Sequence, residues 1–386
     1  MKLIKKIFIV LIIFIFIGAF SNSYSSLSLD KLIYVLAIGI DASSDNNLEV
    51  TFQFSKPLSP ESGGSETAET TTNTVIASSL SNAINLVNSY QERQLNLSHC
   101  KIIIFSEELA SHGIENEIFT LINDTQIRPS SNIVVSKCSA KDYINKTQPE
   151  VENLISKYYE MFTDSSKYTG HLPDATIGNF FNALCCPSCE PYAILGNMST
   201  DNSFVTGTNN TRNVGVAVFK NDTLVGELNI PETISFLAIK NNVARFLVSV
   251  PDPLNNDEFI DLYVTPTKAP KITVDTSTSS PYISVKCYFS ARIYSMTSNS
   301  QYLSNDVLNS ISNYCNSYLE AMFLDYLYST SKEYKADITG LGNYATKNFL
   351  TSSDYKNYNW SENFKNSFFK VDVDTSVKSG MLINST

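Results

Sequence analysis

An uninterrupted apolar run, Ile7–Phe20, dominates the start of the chain. Three lysines precede it, and small polar residues follow it at Ser21, Asn22 and Ser23. A positive start, an apolar middle and a small polar end are typical of a secretory signal, which predicts that the chain is exported. As a helix the run would be about 21 Å long, shorter than the hydrocarbon core of a bilayer at about 30 Å. We interpret residues 1–24 either as a signal peptide cleaved in the Ser21–Ser23 region or as a short, retained N-terminal membrane anchor.

Residues 28–162 have the pattern of a mixed α/β domain. Two strands are predicted over residues 32–54, because an apolar run closed by Gly39 and Asp41 is followed by alternating apolar and polar positions. After a polar loop, helical periodicity predicts a helix over residues 74–91. Short apolar strands and capped helices then alternate as far as residue 162, in the order strand, helix, helix, strand, helix, helix.

The second half of the chain has a different rhythm. The apolar residues of the segment 163–212 show no regular spacing, and this segment is predicted to be an irregular linker region. In residues 213–386 a hairpin and a helix precede a long strand whose alternating positions are expected to be buried: Ile283, Val285, Cys287, Phe289, Ala291 and Ile293. A helix of about 24 residues beginning near Asn305, long enough to cross a sheet at roughly 36 Å, and a last alternating strand complete this half.

The predicted fold class is therefore α+β or mixed α/β, with several domains. The N-terminal part has a mixed sheet, and the C-terminal α+β domain has an antiparallel sheet covered by one long helix. The remaining length of about 360 residues is enough for two or three domains.

Composition narrows the classes of partner. The chain carries a formal net charge of -10 and has no block of basic residues, which argues against nucleic acid as a partner. An acidic chain is also repelled on average by anionic lipid. We therefore expect any attachment to a membrane to come from the N-terminal segment or from partner proteins.

Seven cysteines include a cluster, Cys185-Cys186-Pro187-Ser188-Cys189. A pair spaced as Cys186 and Cys189 has three interpretations: half of a zinc site that His171 could join, a redox-active dithiol, or a local disulfide. A structural zinc site needs a second pair, which the sequence lacks, and a redox dithiol needs its first cysteine at the start of a helix. Because the cluster follows a predicted helix, the sequence favours a local disulfide between Cys186 and Cys189.

The sequence contains no recognisable catalytic constellation. The three histidines, His99, His112 and His171, show no metal-binding spacing, and no phosphate-binding glycine motif occurs. Two pairs of carboxylates, Glu107-Glu108 and Asp372-Asp374, have the positions of solvated charges at a helix start and on a wet strand face. No metal and no cofactor is expected, and the residues by themselves indicate an exported, non-enzymatic binding or interaction protein.

Several segments resemble one family, the C subunits of spore germinant receptors, known as Ger(x)C proteins. They include the strand closed by Gly39 and Asp41, the residues His99, Glu107-Glu108-Leu109-Ala110 and Ile127-Arg128-Pro129, and the run Ser139-Ala140-Lys141-Asp142. In the second half they include "GVAVFKNDTLVGEL", Glu232-Thr233, "SKEYKADITGLGNY", Trp360, Phe364 and "VDVDTSVKSGML". Each segment is weak by itself, but together they occur in the family's order over nearly the whole exported chain.

The resemblance implies a non-enzymatic subunit of a nutrient germinant receptor at the outer face of the spore inner membrane. There it would work with two integral membrane subunits, A and B, in spore germination, and no catalytic residue is carried over. Members of this lipoprotein family usually have a lipobox cysteine. Here Phe20 stands at that place and the first cysteine is Cys100, so anchoring by a lipid at the usual position is not expected.

Two other functions remain open from the sequence. An exported solute-binding protein of a transporter would need a cleft between two similar lobes, and the two halves here differ in rhythm. A thiol-disulfide enzyme would use Cys186 and Cys189. Direct nutrient binding, the identity of the germinant and the surface that meets the A and B subunits are not defined by the sequence.

Overall fold

The computed structural model describes residues 31–56, 70–149, 152, 154–198, 211–252, 255–296 and 304–378. The predicted signal cleavage region at Ser21, Asn22 and Ser23 lies outside the described residues. The first half contains nine strands within this part of the chain: β1 Leu32–Ala42, β2 Leu48–Ser55, β3 Thr70–Ala77, β4 Gln94–Asn96, β5 Ile102–Ser106, β6 Asn132–Ser136, β7 Tyr192–Met198, β8 Thr211–Lys220 and β9 Thr223–Leu228.

Eight of these strands form one continuous mixed sheet, in the order β3-β2-β1-β5-β6-β7-β8-β9, and β4 adds to the start of β1. Strands β1, β5, β6 and β7 run parallel, whereas the outer strands on both sides are antiparallel to their neighbours. The parallel strands are nearly continuous apolar runs, as expected for strands that are buried on both faces.

Helices cover both faces of this sheet: α1 Leu80–Tyr90, α2 Glu107–His112, α3 Glu115–Asn123, α4 Ala140–Lys146, α5 Ile155–Ser166 and α6 Ile177–Leu184. Side chains of α4 and α5 pack with one set of alternate strand residues, such as Ile102 and Val134. Side chains of α1, α2, α3 and α6 pack with the other set, such as Ile103 and Val135. The period of two along each strand therefore divides the apolar residues between two cores.

The second half forms a smaller sheet of four strands, β10 Phe246–Asp252, β11 Asn255–Asp275, β12 Tyr282–Met296 and β13 Phe368–Lys378, in that order. Its helices are α7 Ile230–Ile239, α8 Asn305–Tyr328, α9 Gly342–Ala345, α10 Ser352–Tyr358 and α11 Trp360–Phe364. The six alternating positions predicted to be buried on β12 are buried, and they pack with Ile311, Cys315 and Leu319 of α8. The predicted fold class is confirmed.

One strand pairing of the second sheet differs from the prediction. β10, β11 and β12 are antiparallel, as expected, but β13 pairs with β12 in parallel, with Ile283 opposite Phe369. A parallel neighbour needs a long crossover connection. Helix α8 and the short helices that follow it supply that connection between β12 and β13.

One predicted element of the first half is wrong in detail. The helix predicted over residues 74–91 is a strand as far as Ala77 and a helix only from Leu80. Ile76, placed by the prediction on the apolar helix face, lies on strand β3 and is 61% exposed. Threonines suit a pleated strand, and β3 pairs with β2 along its whole length, so tertiary pairing decides the conformation of this segment.

The region predicted to be irregular, residues 163–212, contains regular structure. Helix α6 begins after Thr176, whose side chain accepts a hydrogen bond from the Asn179 amide at 3.3 Å. Strand β7 then pairs with β6, and the hairpin of β8 and β9, which the sequence suggested as the start of the second half, extends the first sheet. The lack of periodicity in this region reflects a short helix and a buried strand. The division into domains stays a prediction.

Candidate functional site

The carboxyl ends of the parallel strands β1, β5 and β6 meet at one edge of the large sheet. In open α/β sheets this edge is the usual place for binding sites. Ser106 ends β5 and caps α2, accepting a hydrogen bond from the Leu109 amide at 3.3 Å. Ser139 follows β6 and caps α4 in the same way, accepting from the Asp142 amide at 3.0 Å. Two helices therefore begin at this edge.

Asp41, at the end of β1, links this strand to the start of α4. Its carboxylate accepts hydrogen bonds from the amides of Ala140 at 2.7 Å and Lys141 at 3.0 Å, the first residues of α4. Burial raises the pKa of Asp41, and these two amide donors oppose that effect. The Lys141 ammonium forms an ion pair with Glu49 at 2.8 Å, which links β2 to the same helix.

Gly39 permits the close approach of α4 to β1. A Cβ atom at this position would lie 2.9 Å from Ile144 Cδ1 and 3.1 Å from the Ala140 Cβ. Gly39 and Asp41, which close the first segment that resembles the family, thus have distinct physical roles. Gly39 provides space for the helix, and Asp41 binds its N-terminal amides.

A recess of about 500 Å³ opens at this edge, and its charged lining residues are mostly acidic: Asp41, Glu49, Glu107, Glu108 and Lys137. Lys137 is neutralised by Glu227 of β9 at 2.6 Å. Burial raises the pKa of the Cys138 thiol in the same recess, which disfavours its nucleophilic thiolate form. Within the described ranges no group of three or more His, Cys, Asp or Glu residues is placed to hold a metal ion. The recess is a polar surface suited to contact with another molecule.

A larger groove of about 1120 Å³ lies beside the recess, between the β1–β2 turn, the start of α1 and helices α2 and α3. Glu108, His112 and Glu117 are polar lining residues of this groove, and Phe119 supplies an apolar wall. The Nδ1 atom of His112 lies 2.7 Å from the Glu108 carbonyl oxygen, and burial raises the pKa of Glu117. Because the carbonyl oxygen can only accept, Nδ1 carries the proton in this contact.

The predicted cysteine pair lies far along the chain from this edge, after helix α6. Cys186 and Cys189 are placed as a disulfide, with Cα atoms 5.6 Å apart, which is within the usual range for such a bond. The pair follows the carboxyl end of α6, which Cys185 caps, whereas a redox-active pair has its first cysteine at the start of a helix. The environment thus resembles that of a structural pair, and the disulfide stays a prediction.

The cysteine loop lies beside the buried Asp337 side chain and its hydrogen-bond donors, a group of contacts that the sequence did not reveal. Ser188 donates a hydrogen bond from its hydroxyl to Asn343 Oδ1 at 2.6 Å. Beside it, the Asp337 carboxylate accepts from the amides of Gly340 and Gly342 at 2.9 and 2.8 Å and from Trp360 Nε1 at 3.0 Å. The "GLGNY" segment therefore has a specific role in the fold. Its glycine amides bind a buried aspartate three residues upstream, and the spacing Asp-x-x-Gly-x-Gly was the available signal.

The remaining candidates occupy separate places. His99 packs on Tyr34, with ring centroids 4.5 Å apart, and His171 lies in the connection to α6. Asp372 and Asp374 lie on β13, and Asp372 forms an ion pair with Lys370 at 3.1 Å. The structure therefore brings together Asp41, Glu107 and Glu108, with Cys138 in the same recess and His112 in the adjoining groove. It does not bring His99, His171, Cys186 or Cys189 to them.

Comparison with known proteins identifies the same family over both halves. The model of the spore germination protein N-terminal domain matches residues 25–195, and the model of the spore germination B3/GerAC-like C-terminal region matches residues 214–380. A Bacillus subtilis (strain 168) protein, YfkR, whose name assigns it to spore germination, is 25% identical over 174 residues. That match covers 45% of this chain and 44% of the relative, so the chain spans less than half of that relative's length.

A solved structure shares the fold. The crystal structure of the GerBC protein matches with a TM-score of 0.51 and 17% identity, covering 88% of this chain and 96% of that one. Among the residues that the structure describes, no helix combines the length and the apolarity needed to cross a bilayer.

Proposed function

Because this chain belongs to the family of GerAC-like spore germination proteins, we propose that it is a non-enzymatic subunit of a nutrient germinant receptor. The observation that carries the proposal is the match of both family models, in order, over residues 25–195 and 214–380. In this role the chain acts at the outer face of the spore inner membrane, after export directed by its N-terminal segment. It is held there by that segment or by its partners.

The partners in this proposal are the integral membrane subunits A and B. The recess at the sheet edge is a suitable contact surface, because three segments that resemble the family converge on it. Asp41 and Lys141 are used within the fold, whereas the side chains of Glu107 and Glu108 remain exposed. Exposed carboxylates with no ion pair among the described residues are available to a basic surface of a partner subunit.

Deletion of the gene tests the receptor role directly. Sporulation is expected to proceed normally, while germination with particular nutrients is slowed or lost and is restored by the intact gene. Normal germination with every nutrient tried, in a strain that has no paralogue, would contradict the proposal.

A charge reversal tests the recess. Glu107→Lys is expected to impair nutrient germination, and Glu115→Lys is the matched control, because both glutamates are exposed in the first turn of a short helix. Each reversal weakens its helix by a similar amount, about 0.3–1 kcal/mol. Equal germination phenotypes at equal protein levels would exclude the recess as the contact surface.

The groove beside the recess supports a second candidate function, that of an exported solute-binding protein of a transporter. Its volume of about 1120 Å³ would accommodate a small molecule. The different architectures of the two halves argue against the two similar lobes that such proteins have. A thermal-shift screen of the purified protein with amino acids and sugars separates the candidates, since a large and specific stabilisation would favour solute binding.

A further inference from the structure

Strand β13 is the last strand of the four-stranded sheet, and among the described strands only β12 pairs with it. An edge strand presents a row of backbone amides and carbonyls that can pair with a strand of another molecule. Four alternate residues of β13 are β-branched, a residue type that favours the pleated conformation: Val371, Val373, Thr375 and Val377. The outer edge of β13 is therefore a place where a strand of another molecule could add.

Helix α8 covers this edge with polar side chains. Three amides of β13 each donate a hydrogen bond to a side-chain oxygen of α8: Val373 to Glu320 Oε1 at 2.9 Å, Thr375 to Asn316 Oδ1 at 2.9 Å and Val377 to Ser312 Oγ at 3.3 Å. We call these three hydrogen bonds the edge ladder. Because the three donors are alternate residues of one strand, their amides leave the same side of it, the side away from β12.

The spacing of the edge ladder follows from the dimensions of the helix and the strand. Its acceptors are four residues apart on α8, which corresponds to about 6.0 Å along a helix. Its donors are two residues apart on β13, which corresponds to about 6.6 Å along a strand. The two repeats therefore match over three hydrogen bonds. The next positions of this series on α8 are Leu308 and Leu324, whose apolar side chains cannot accept a hydrogen bond.

The charges of β13 do not close the edge by themselves. Asp372 forms an ion pair with Lys370 on the same strand at 3.1 Å. An antiparallel pair of two β13 strands, with residue 375 opposite residue 377, would place Asp374 opposite Lys378 of the second copy. Opposite charges in such a position stabilise a strand pair, so this register would be favourable. Protection of the edge must therefore come from the side chains of α8.

We propose that the edge ladder keeps β13 from pairing with β13 of a second copy of the chain. The three amides at the centre of such a pair are already bound to side chains of α8. A partner protein is therefore expected to meet this sheet through its side chains, and not by adding a strand to β13. The inference goes beyond the proposed function and does not depend on it, because purified protein is enough for its test.

Hydrogen exchange tests the edge ladder at single residues. Ser312→Ala/Asn316→Ala/Glu320→Ala removes the three acceptors, and alanine is the residue that most favours a helix. In the full chain in detergent micelles, the amides of the edge ladder should exchange at least about tenfold faster in this variant. The amides of residues 372 and 374, which turn toward β12, should stay protected.

A matched control changes the same three kinds of side chain on the exposed side of α8. Asn313→Ala/Ser317→Ala/Asp325→Ala removes an amide, a hydroxyl and a carboxylate, all exposed, and should leave the exchange of β13 unchanged. Asn316→Ala alone opens the middle of the edge ladder and should speed the exchange of the Thr375 amide only. This single variant keeps the test decisive if the triple variant does not fold.

Sedimentation of the same proteins tests the consequence for self-association. At equal concentration, the variant that lacks the three acceptors should form larger species than the native chain and the control variant. Glu320→Gln, which retains an acceptor oxygen, should behave like the native chain in both measurements. Unchanged exchange of the edge-ladder amides would overturn the proposal, and so would faster exchange without any increase in the size of the species.

Discussion

At the residue scale, the contact between α4 and β1 depends on the absence of a side chain at position 39. Gly39→Ala would bring a methyl group to within 2.9 Å of Ile144 Cδ1 and 3.2 Å of the Ala140 carbonyl carbon. Because α4 must move away, its amides would also lose their contact with Asp41. We expect a loss of about 1–3 kcal/mol in the free energy of unfolding, measured by urea denaturation.

A second substitution provides the control for this prediction. Ile144→Val removes the Cδ1 atom that the new methyl group would meet, so Gly39→Ala/Ile144→Val should be more stable than the sum of the two single changes predicts. Strict additivity in the double-mutant cycle would show that the steric explanation is wrong.

Lys240 provides a test of pH dependence. Its ammonium group donates a hydrogen bond to the Ile338 carbonyl at 3.1 Å and lies 4.6 Å from the Tyr192 ring centre, and burial lowers the pKa of Lys240 to about 8. Between this value and the unfolded value of about 10.4, the unfolded chain binds more protons. Stability should therefore rise with pH in that window.

The measurement compares the native chain with Lys240→Met from about pH 8 to 9.5, below the range in which tyrosines ionise. The native chain should gain stability relative to the variant by less than about 1.4 kcal/mol per pH unit. Parallel stability curves for the two proteins would show that the pKa of Lys240 does not change on folding.

At the scale of elements, a helix or strand could be predicted from the sequence where its apolar residues repeat at one regular spacing over many positions. Helix α8 and strand β12 were predicted because each repeats an apolar residue at one regular spacing over 24 and 15 residues. Strand β3 was predicted partly as a polar loop and, from residue 74, as a helix, because Ile76 continues the helical spacing of Leu80 and Ile84. Only its pairing with β2 makes it a strand. Long-range pairing is not encoded in local periodicity.

The same limit applies to the candidate site. The segments around Asp41, Glu107 and Ser139 could be recognised in the sequence. Helices were also predicted to begin near Ser106 and Ser139. It could not show that the amides of α4 bind Asp41, because these residues are about 100 positions apart. Asp337 was missed for a related reason, since its donors include Trp360, 23 residues further along the chain.

The cysteine loop gives an element-scale prediction. Cys186 and Cys189 are three residues apart, and closing so short a loop should contribute about 2 kcal/mol to the free energy of unfolding. Reductant should therefore lower the melting temperature of the native chain and leave that of Cys186→Ser/Cys189→Ser unchanged. Cys185→Ser, next to the pair, should respond to reductant like the native chain.

Alkylation of the denatured, unreduced protein counts the thiols independently. Five cysteines should be modified, namely Cys100, Cys138, Cys185, Cys287 and Cys315. Seven modified cysteines in protein recovered from an oxidising compartment would contradict the disulfide.

At the scale of the whole molecule, the two halves share one apolar core. A single cluster of buried residues runs from Val134 and Ile194 of the large sheet through Phe236 of α7 to Ile283 and Phe323 of the second half. A backbone hydrogen bond also joins the two halves, because the Glu190 amide donates to the Asp337 carbonyl oxygen at 2.9 Å. Two halves that bury apolar residues in one shared core should not unfold separately.

The single tryptophan makes this expectation measurable. Trp360 is buried in the second half, so its fluorescence reports that half, whereas far-ultraviolet circular dichroism reports all helices and strands. We expect the two signals to have the same urea midpoint, because loss of the second half would expose the apolar face of the first. A fluorescence transition at clearly lower urea, with much of the dichroism retained, would instead show that the halves are independent domains. The predicted division of the chain near residue 213 would then describe folding units as well as sequence segments.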